Sequence, residues 1–297
     1  MSSLKPRIVL VSRETEYAAL LAKHGTRGQA EFFLSTRGQR IDELEVRDAL
    51  QSRTLAAAKE AIPAEWSFVQ VLREDLSRFL FSENDIVVPI GQDGLVANLA
   101  KYLDGQPVVG ITPDPASSEG ILTRHGVDTL PGLLKRTVHA NVDIQARTMV
   151  EVKAGEGLSL FALNELFIGH RSHQSARYVV QAGGAEEFQS SSGMIVATGT
   201  GLTGWAKSIM TATNRNFDIS PEDNRAAFFA REPWPSRTSG CEIAAGEIEQ
   251  QASLTVLSRI NEGGVIFADG IEQDFLPFDW GVEAQIQISR KKLALVI

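Results

Sequence analysis

The stretch that most constrains this chain is DIVVPIGQDGLVANLAKYLDGQPVVGI, residues 85–111. Ile86, Val87, Val88 and Ile90 make a short β-branched apolar run, suited to a strand buried on both faces. Gly91-Gln92-Asp93-Gly94 breaks the run, and Leu95, Val96, Leu99 and Leu103 follow at helical spacing. Residues 107–111 then read as the next strand. Strand, tight glycine turn, helix and strand predict a parallel crossover unit of right-handed sense. The turn ends at a helix N-terminus, where free N–H groups and the helix dipole favour phosphate. Asp93 places an anion there, which suits metal coordination or acceptance of a proton from an attacking hydroxyl. The plainer alternative is an Asp that caps the helix.

Upstream, residues 7–12 read as a first strand, 14–24 as a helix, 44–62 as a longer amphipathic helix stopped by Pro63, and 68–72 as a second strand. A short helix is expected at 75–81, and residues 26–40 fit either loop or helix. Alternating strands and helices predict an open, mostly parallel sheet covered by helices. Ligands of such a sheet lie beyond the C-terminal strand ends, where Gly91 to Gly94 fall.

The pattern changes near Val138. Val142, Ile144, Ala146, Thr148, Val150 and Val152 alternate at period two, as in a half-buried antiparallel strand. Further strands are expected at 160–168, 176–181, 194–198, 226–230, 252–260, 265–268, 283–289 and 293–297. Gly183-Gly184 and Gly263-Gly264 read as hairpin turns. With 297 residues there is room for two domains. The expected division is an α/β nucleotide-binding domain over residues 1–137 and a mainly antiparallel, sandwich-like β domain over 138–297.

A net charge of −8 argues against a nucleic-acid partner, whose footprint is usually a basic face. No apolar run approaches the roughly 20 residues that span a bilayer. The N-terminal apolar core, residues 8–11, is too short for a secretory signal, so the expected location is cytoplasmic. Cys241 is the only cysteine, which excludes an internal disulfide.

Three constellations in the second half carry chemistry. Asn164 and Glu165 interrupt an otherwise apolar strand, where they either pair structurally or reach a ligand's hydroxyl groups. Thr198-Gly199-Thr200-Gly201-Leu202-Thr203-Gly204-Trp205 satisfies G-x-G-x-x-G, but in a β-rich context that excludes the dinucleotide crossover. There, glycines would bring backbone close to a ligand, threonines would donate hydrogen bonds, and Trp205 would offer a face for a base; a plain turn beside a core Trp is the alternative. His170 and His173 stand three apart in a polar loop with no third ligand signalled, so no metal site is assigned. Asp269-Gly270 ends an apolar strand and reads as a turn.

Together these residues resemble the NAD kinase family, and more closely its mitochondrial-type branch. The family's Gly-Gly-Asp-Gly-Thr turn matches Gly91-Gln92-Asp93-Gly94-Leu95. Residues 110–115 through Ser118-Glu119-Gly120 are similar to the stretch after the next strand. Ala162 to Glu165 match its Ala-Leu-Asn-Glu strand, and Ser191-Ser192-Gly193, Thr198 to Gly201 and Trp205 match its substrate loop, as do Arg231-Glu232-Pro233 and Asp269-Gly270. The resemblance implies transfer of the ATP γ-phosphoryl group to the 2′-hydroxyl of the adenosine ribose of NAD or NADH, with Mg²⁺ accompanying ATP. Asp93 would be the catalytic base, and Gly91 and Gln92 would meet the phosphates of ATP. Gly94, Asn164, Glu165, Thr200, Thr203, Trp205 and Ser208 would bind NAD, and the chain would form a homodimer or higher homo-oligomer. Gln92 stands where the family has a second glycine, adding a side chain and restricting the backbone, and Leu95 stands where it has threonine. Two alternatives follow: a catalytically impaired dinucleotide-binding regulatory protein, or a lipid or polyol kinase of the same superfamily.

Overall fold

The computed structural model describes residues 5–116, 120–155 and 157–297. Ser118 and Glu119, quoted above, lie outside them. The chain divides into two compact units, Met1–Gln145 with Ala294–Ile297, and Ala146–Leu293. The division therefore falls later than residue 138. The last four residues, expected in the second domain, belong to the first because Ala294 and Leu295 pair in parallel with Pro107 and Val108.

The first unit runs β1 (Arg7–Ser12), α1 (Glu16–His24), α2 (Arg27–Ser35), α3 (Ile41–Glu60), β2 (Ser67–Leu72), β3 (Asp85–Pro89), α4 (Asp93–Ala100), β4 (Pro107–Val108) and α5 (Leu130–Val138). Its strands lie in the order β2-β1-β3-β4, all parallel. Ile8, Leu10, Ile86 and Val88 pack with Ala58 and Ile62, at and just beyond the end of α3, and with Leu130, Leu133 and Leu134 of α5. The intervening Val9, Val11 and Val87 are also fully buried, which is why these strands are almost continuously apolar. Arg7 of β1 grips the buried Asp85 of β3 through two hydrogen bonds of 2.8 and 2.7 Å. This pair fixes the start of the neighbouring strand whose far end carries the glycine turn.

Several local expectations shift. Residues 27–35 form α2, capped by the Thr26 hydroxyl, although only Ala30 and Leu34 of this helix are buried. The helix expected at 75–81 is a 3-10 segment, Arg73–Arg78. The strand expected at 107–111 is short, continued by single bridges from Ile111 to Ile90 and His125.

The second unit begins with β5 (Ile144–Ala154), β6 (Leu158–Ala162), β7 (Glu165–His170), β8 (Ala176–Ala182), β9 (Ala185–Ser191) and β10 (Met194–Thr198). It continues with α6 (Trp205–Thr213), β11 (Arg225–Ala230), β12 (Ala245–Glu249), β13 (Leu254–Ser258), β14 (Gly264–Ala268), β15 (Phe275–Pro277) and β16 (Glu283–Val296), whose end passes into the first unit. One sheet holds β5, β6, β16, β13, β8 and β9; the other runs β12-β11-β10-β7-β14-β15, antiparallel throughout. Val150, Tyr178, Val256 and Ile286 of the first sheet share one buried core with Ile168, Val196, Phe228 and Ile266 of the second. The unit is a β-sandwich. On the outer face of the second sheet, α6 covers Ile195, Ala197 and Phe229 with Ala206, Ile209 and Met210.

Gly183-Gly184 is the expected two-residue hairpin: Ala182 pairs with Ala185, and both glycines have positive φ, 57° and 84°. Gly263-Gly264 is not a hairpin, because β13 pairs with β8 and β16 whereas β14 pairs with β7 and β15. The segments expected at 283–289 and 293–297 are one strand.

Candidate functional site

In the first unit the glycine turn sits where the sequence places it. The Ile90 N–H donates to the Val11 carbonyl at 2.8 Å and the Gly91 N–H to that of Ile111 at 3.0 Å, so neighbouring strands hold the end of β3. Gln92 is the N-cap of α4 with φ −94° and ψ 163°, ordinary extended backbone that needs no glycine. The restriction expected from this residue is therefore not met. A Cβ on Gly91 would lie 3.3 Å from Leu95 Cδ2, so the leucine that stands in place of threonine fits beneath a glycine. Gly94 is exposed, with open space where a Cβ would be.

Asp93 is the first residue of α4 and does not cap it. Its Oδ1 accepts hydrogen bonds from the Leu122 N–H (3.0 Å), the Thr123 N–H (2.8 Å) and the Thr123 hydroxyl (2.9 Å). Among the described residues its Oδ2 accepts one hydrogen bond, from the Ile121 N–H at 3.0 Å. A carboxylate offers about four lone-pair directions, so Oδ2 keeps one for a ligand proton. Asp93, Gln92 and Gly91 line a cavity of about 500 Å³ together with Arg13, Arg47 and Thr112. The Arg13 guanidinium donates to Gln92 Oε1 at 3.3 Å, which brings a cation beside the turn.

In the second unit the expected strand 160–168 breaks at Leu163-Asn164, between β6 and β7. The cause is distant in sequence. Asp269, at the end of β14 with φ 51°, accepts hydrogen bonds from three successive N–H groups: Leu163 (3.0 Å), Asn164 (2.7 Å) and Glu165 (3.2 Å). Asp269 returns its own N–H to the Glu165 carbonyl at 3.0 Å. Asn164 thus stands at a bend rather than within a strand. Asp269, read above as a turn residue, is the group that makes the bend.

Thr198 closes the other side. Its hydroxyl donates to the Leu163 carbonyl at 2.5 Å and accepts from the Thr200 and Gly201 N–H groups. A Cβ on Gly201 would stand 2.1 Å from the Asn164 carbonyl oxygen, and one on Gly199 2.2 Å from that of Ser220. These glycines bring backbone against backbone. Gly201→Ala is therefore expected to lower stability by about 2–3 kcal/mol in urea denaturation, whereas an unchanged midpoint would contradict this packing.

Thr200 is buried and its hydroxyl accepts from Arg147 at 3.3 Å. The Thr203 hydroxyl donates to the Thr200 carbonyl at 2.8 Å. Trp205, half exposed, stacks on Phe167 with 11° between the rings, and Arg231 lies over it at 5.1 Å. Ser208 lies further along α6 with an exposed side chain, and no hydrogen bond among the described residues ties it to the bend. Asn164, Glu165, Thr200 and Thr203 are gathered around Asp269 and Thr198; Ser208 is not.

Burial, with the Asp269 carboxylate second, pushes the Glu165 carboxyl up from an ordinary 4.5 to about 7. The folded chain then binds this proton more tightly than the unfolded chain. The resulting stability is complete below pH 4.5 and lost as pH rises through about 7. Glu165→Gln is expected to be the more stable protein above that pH, by on the order of 2 kcal/mol, with melting curves converging in acid. A difference independent of pH would contradict the shift.

No protein-family model and no curated protein matches the sequence. Solved structures do. The crystal structure of an NAD kinase from Archaeoglobus fulgidus in complex with ATP superimposes with a TM-score of 0.62, at 18% identity, over 98% of this chain and 93% of that one. The fold is that of the NAD kinases. A yeast NADH kinase complexed with NADH gives 0.62 at 13% identity, over 99% of this chain and 84% of its own. An α/β unit followed by a β-sandwich is the architecture expected from the alternation of patterns, and the likeness to NAD kinases, implied by the motif resemblance, extends across nearly the whole chain.

Sequence reasoning missed Asp269 and Thr198 as shapers of the Leu163–Glu165 bend, and Thr123 as a support of Asp93. An Asp-Gly pair ending an apolar strand was the visible signal for the first. The other two act through contacts that no local pattern records.

Proposed function

We propose that this chain is a kinase that transfers the γ-phosphoryl group of ATP to the 2′-hydroxyl of the adenosine ribose of NAD or NADH, giving NADP(H). The observation that carries this reading is Asp93, at the head of α4 in a Gly-x-Asp-Gly turn, lining a cavity within an NAD kinase fold. In the reaction the ribose O2′ forms a bond to the γ-phosphorus as the bond to the β-bridging oxygen breaks and ADP leaves. Asp93 Oδ2 takes the hydroxyl proton. Phosphoryl transfer needs little more than positioning and charge neutralisation, so one well-held carboxylate suffices as base.

Gly91 and Gln92 meet the donor's phosphates, and Arg13 brings positive charge to the same cavity. Gly94, Asn164, Glu165, Thr200, Thr203, Trp205 and Ser208 bind the dinucleotide, Asn164 and Glu165 through its hydroxyl and adenine groups. A Glu165 carboxyl that titrates near 7 is able both to donate to and to accept from a ribose hydroxyl. Magnesium accompanies ATP and neutralises phosphate charge. It would take most of its ligands from phosphates and water, and the cavity offers the Asp114 carboxylate beside them. Among the described residues no helix is long and apolar enough to cross a membrane. The proposed setting is a cytoplasmic homodimer or higher homo-oligomer, and the one cysteine, exposed and unpaired, accords with a reducing compartment.

The test is incubation of the purified chain with ATP, Mg²⁺ and either NAD or NADH, with NADP(H) detected by an NADP-specific dehydrogenase. Steady formation of NADP(H) supports the reading. Calorimetric binding of NAD without turnover would replace it with the regulatory one.

A further inference from the structure

A second cavity, of about 520 Å³, lies within the β-sandwich unit and shares no residue with either constellation above. Arg177 of β8 and Arg259, just after β13, stand on its wall with His170, His173 and Glu262. The two strands pair antiparallel, Thr255 with Gln181 through Ser258 with Tyr178. One step further in that register sets Arg259 opposite Arg177, and the Arg259 N–H donates to the Arg177 carbonyl at 2.8 Å. Like charges directly opposite on a sheet repel. Among the described residues neither guanidinium has an ion-pair partner, and Glu262 pairs with neither. This is a concentration of unneutralised positive charge on a chain whose net charge is −8.

Apart from Glu262 and the apolar Ile260, the remaining wall carries side chains able to donate. The Arg259 guanidinium lies over the Trp280 ring at 5.2 Å, which fixes its plane and leaves its N–H edge for a ligand. The Ser172 N–H donates to His170 Nδ1 at 3.0 Å, so the neutral ring carries its proton on Nε2 and is a donor there. Paired guanidiniums are matched by the bidentate oxygens of a phosphate group. We propose that this cavity binds a phosphate-bearing anion, either a free oligophosphate or the phosphate chain of a nucleotide, between Arg177 and Arg259. The bound anion converts a cross-strand repulsion into two charge-assisted contacts. The site is independent of the kinase reading.

The test is calorimetric titration of the full chain with tripolyphosphate and, separately, ATP at low salt, for the wild type, Arg177→Gln, Arg259→Gln and the charge-keeping Arg177→Lys. Both Gln variants are expected to lose one equivalent of bound tripolyphosphate, or to hold it at least about tenfold more weakly, with Arg177→Lys intermediate. Turnover with saturating ATP stays unchanged in Arg177→Gln. Binding of ATP at this site as tight as tripolyphosphate identifies the nucleotide as the source, and tripolyphosphate alone identifies the free anion. Thermal melting gives a second reading. Without multivalent anions Arg177→Gln melts no lower than the wild type, because a repulsion is gone, whereas millimolar tripolyphosphate raises the wild type above it. Isotherms identical in wild type and both Gln variants, or a wild type that melts higher than Arg177→Gln without any anion, would overturn the site.

Discussion

Asparagine in place of Asp93 is expected to cut NADP(H) formation by about 10²–10⁴-fold, the range that a positioned general base contributes. The amide also changes the structure around it. Whichever way it turns, its NH₂ faces a backbone donor, either the Ile121 N–H or the pair from Leu122 and Thr123. A loss of about 1–3 kcal/mol in stability therefore accompanies the loss of activity. Thr123→Val separates the two effects. It removes one hydroxyl donated to Asp93 Oδ1 and leaves the carboxylate in place. It is expected to lower stability by about 1 kcal/mol while most of the turnover survives. Equal collapse of activity in both variants would mean that Asp93 works through the 121–123 segment and not on the substrate.

The second large effect is expected at Asp269. Asp269→Ala leaves three N–H groups at the Leu163–Glu165 bend without their acceptor and places a Cβ-bearing residue of little left-handed tendency at φ 51°. A loss of about 3–5 kcal/mol in urea denaturation follows. Asp269→Asn, which keeps one acceptor oxygen and tolerates the left-handed conformation, falls between. The same substitutions remove a negative charge beside Glu165, so its titration moves down from about 7 and the pH-dependent step in stability moves with it. Weakened NAD binding in step with the loss of the bend is the functional counterpart. Stability and NAD affinity both unchanged in Asp269→Ala would remove Asp269 from the site.

What was legible in the sequence follows from where partners lie. The parallel strands of the first unit are buried on both faces, so Ile86 to Val88 and Ile8 to Val11 announce themselves as apolar runs. The strands that escaped notice, β9, β12 and β15, are all sheet edges, where exposed faces admit residues such as Glu186, Glu247 and Phe275. The break at Asn164 was hidden because an apolar run continues through it, and the group that bends it lies 105 residues away. β16 looked like two strands because Arg290-Lys291-Lys292 interrupts its alternation. The identical Gly-Gly signal at 183 and 263 gave a hairpin once and a change of sheet once, since partner choice is not a local property.

The site shows the same division. Asp93, its glycine turn and the Asn164-Glu165 pair are readable as motifs because each is a short unit of chemistry. The Arg13–Gln92 contact in the first unit, and the Thr198 hub and the grip of Asp269 in the second, are tertiary, and only the folded chain forms them.

The most direct test of the central claim is the fate of labelled γ-phosphate. With γ-labelled ATP, Mg²⁺ and NAD or NADH, the account predicts label on the dinucleotide at the ribose 2′-oxygen, one phosphate per molecule of ADP released, and almost none with Asp93→Asn. Label released as inorganic phosphate, or carried to the 2′-oxygen as fast by Asp93→Asn as by the wild type, would contradict it.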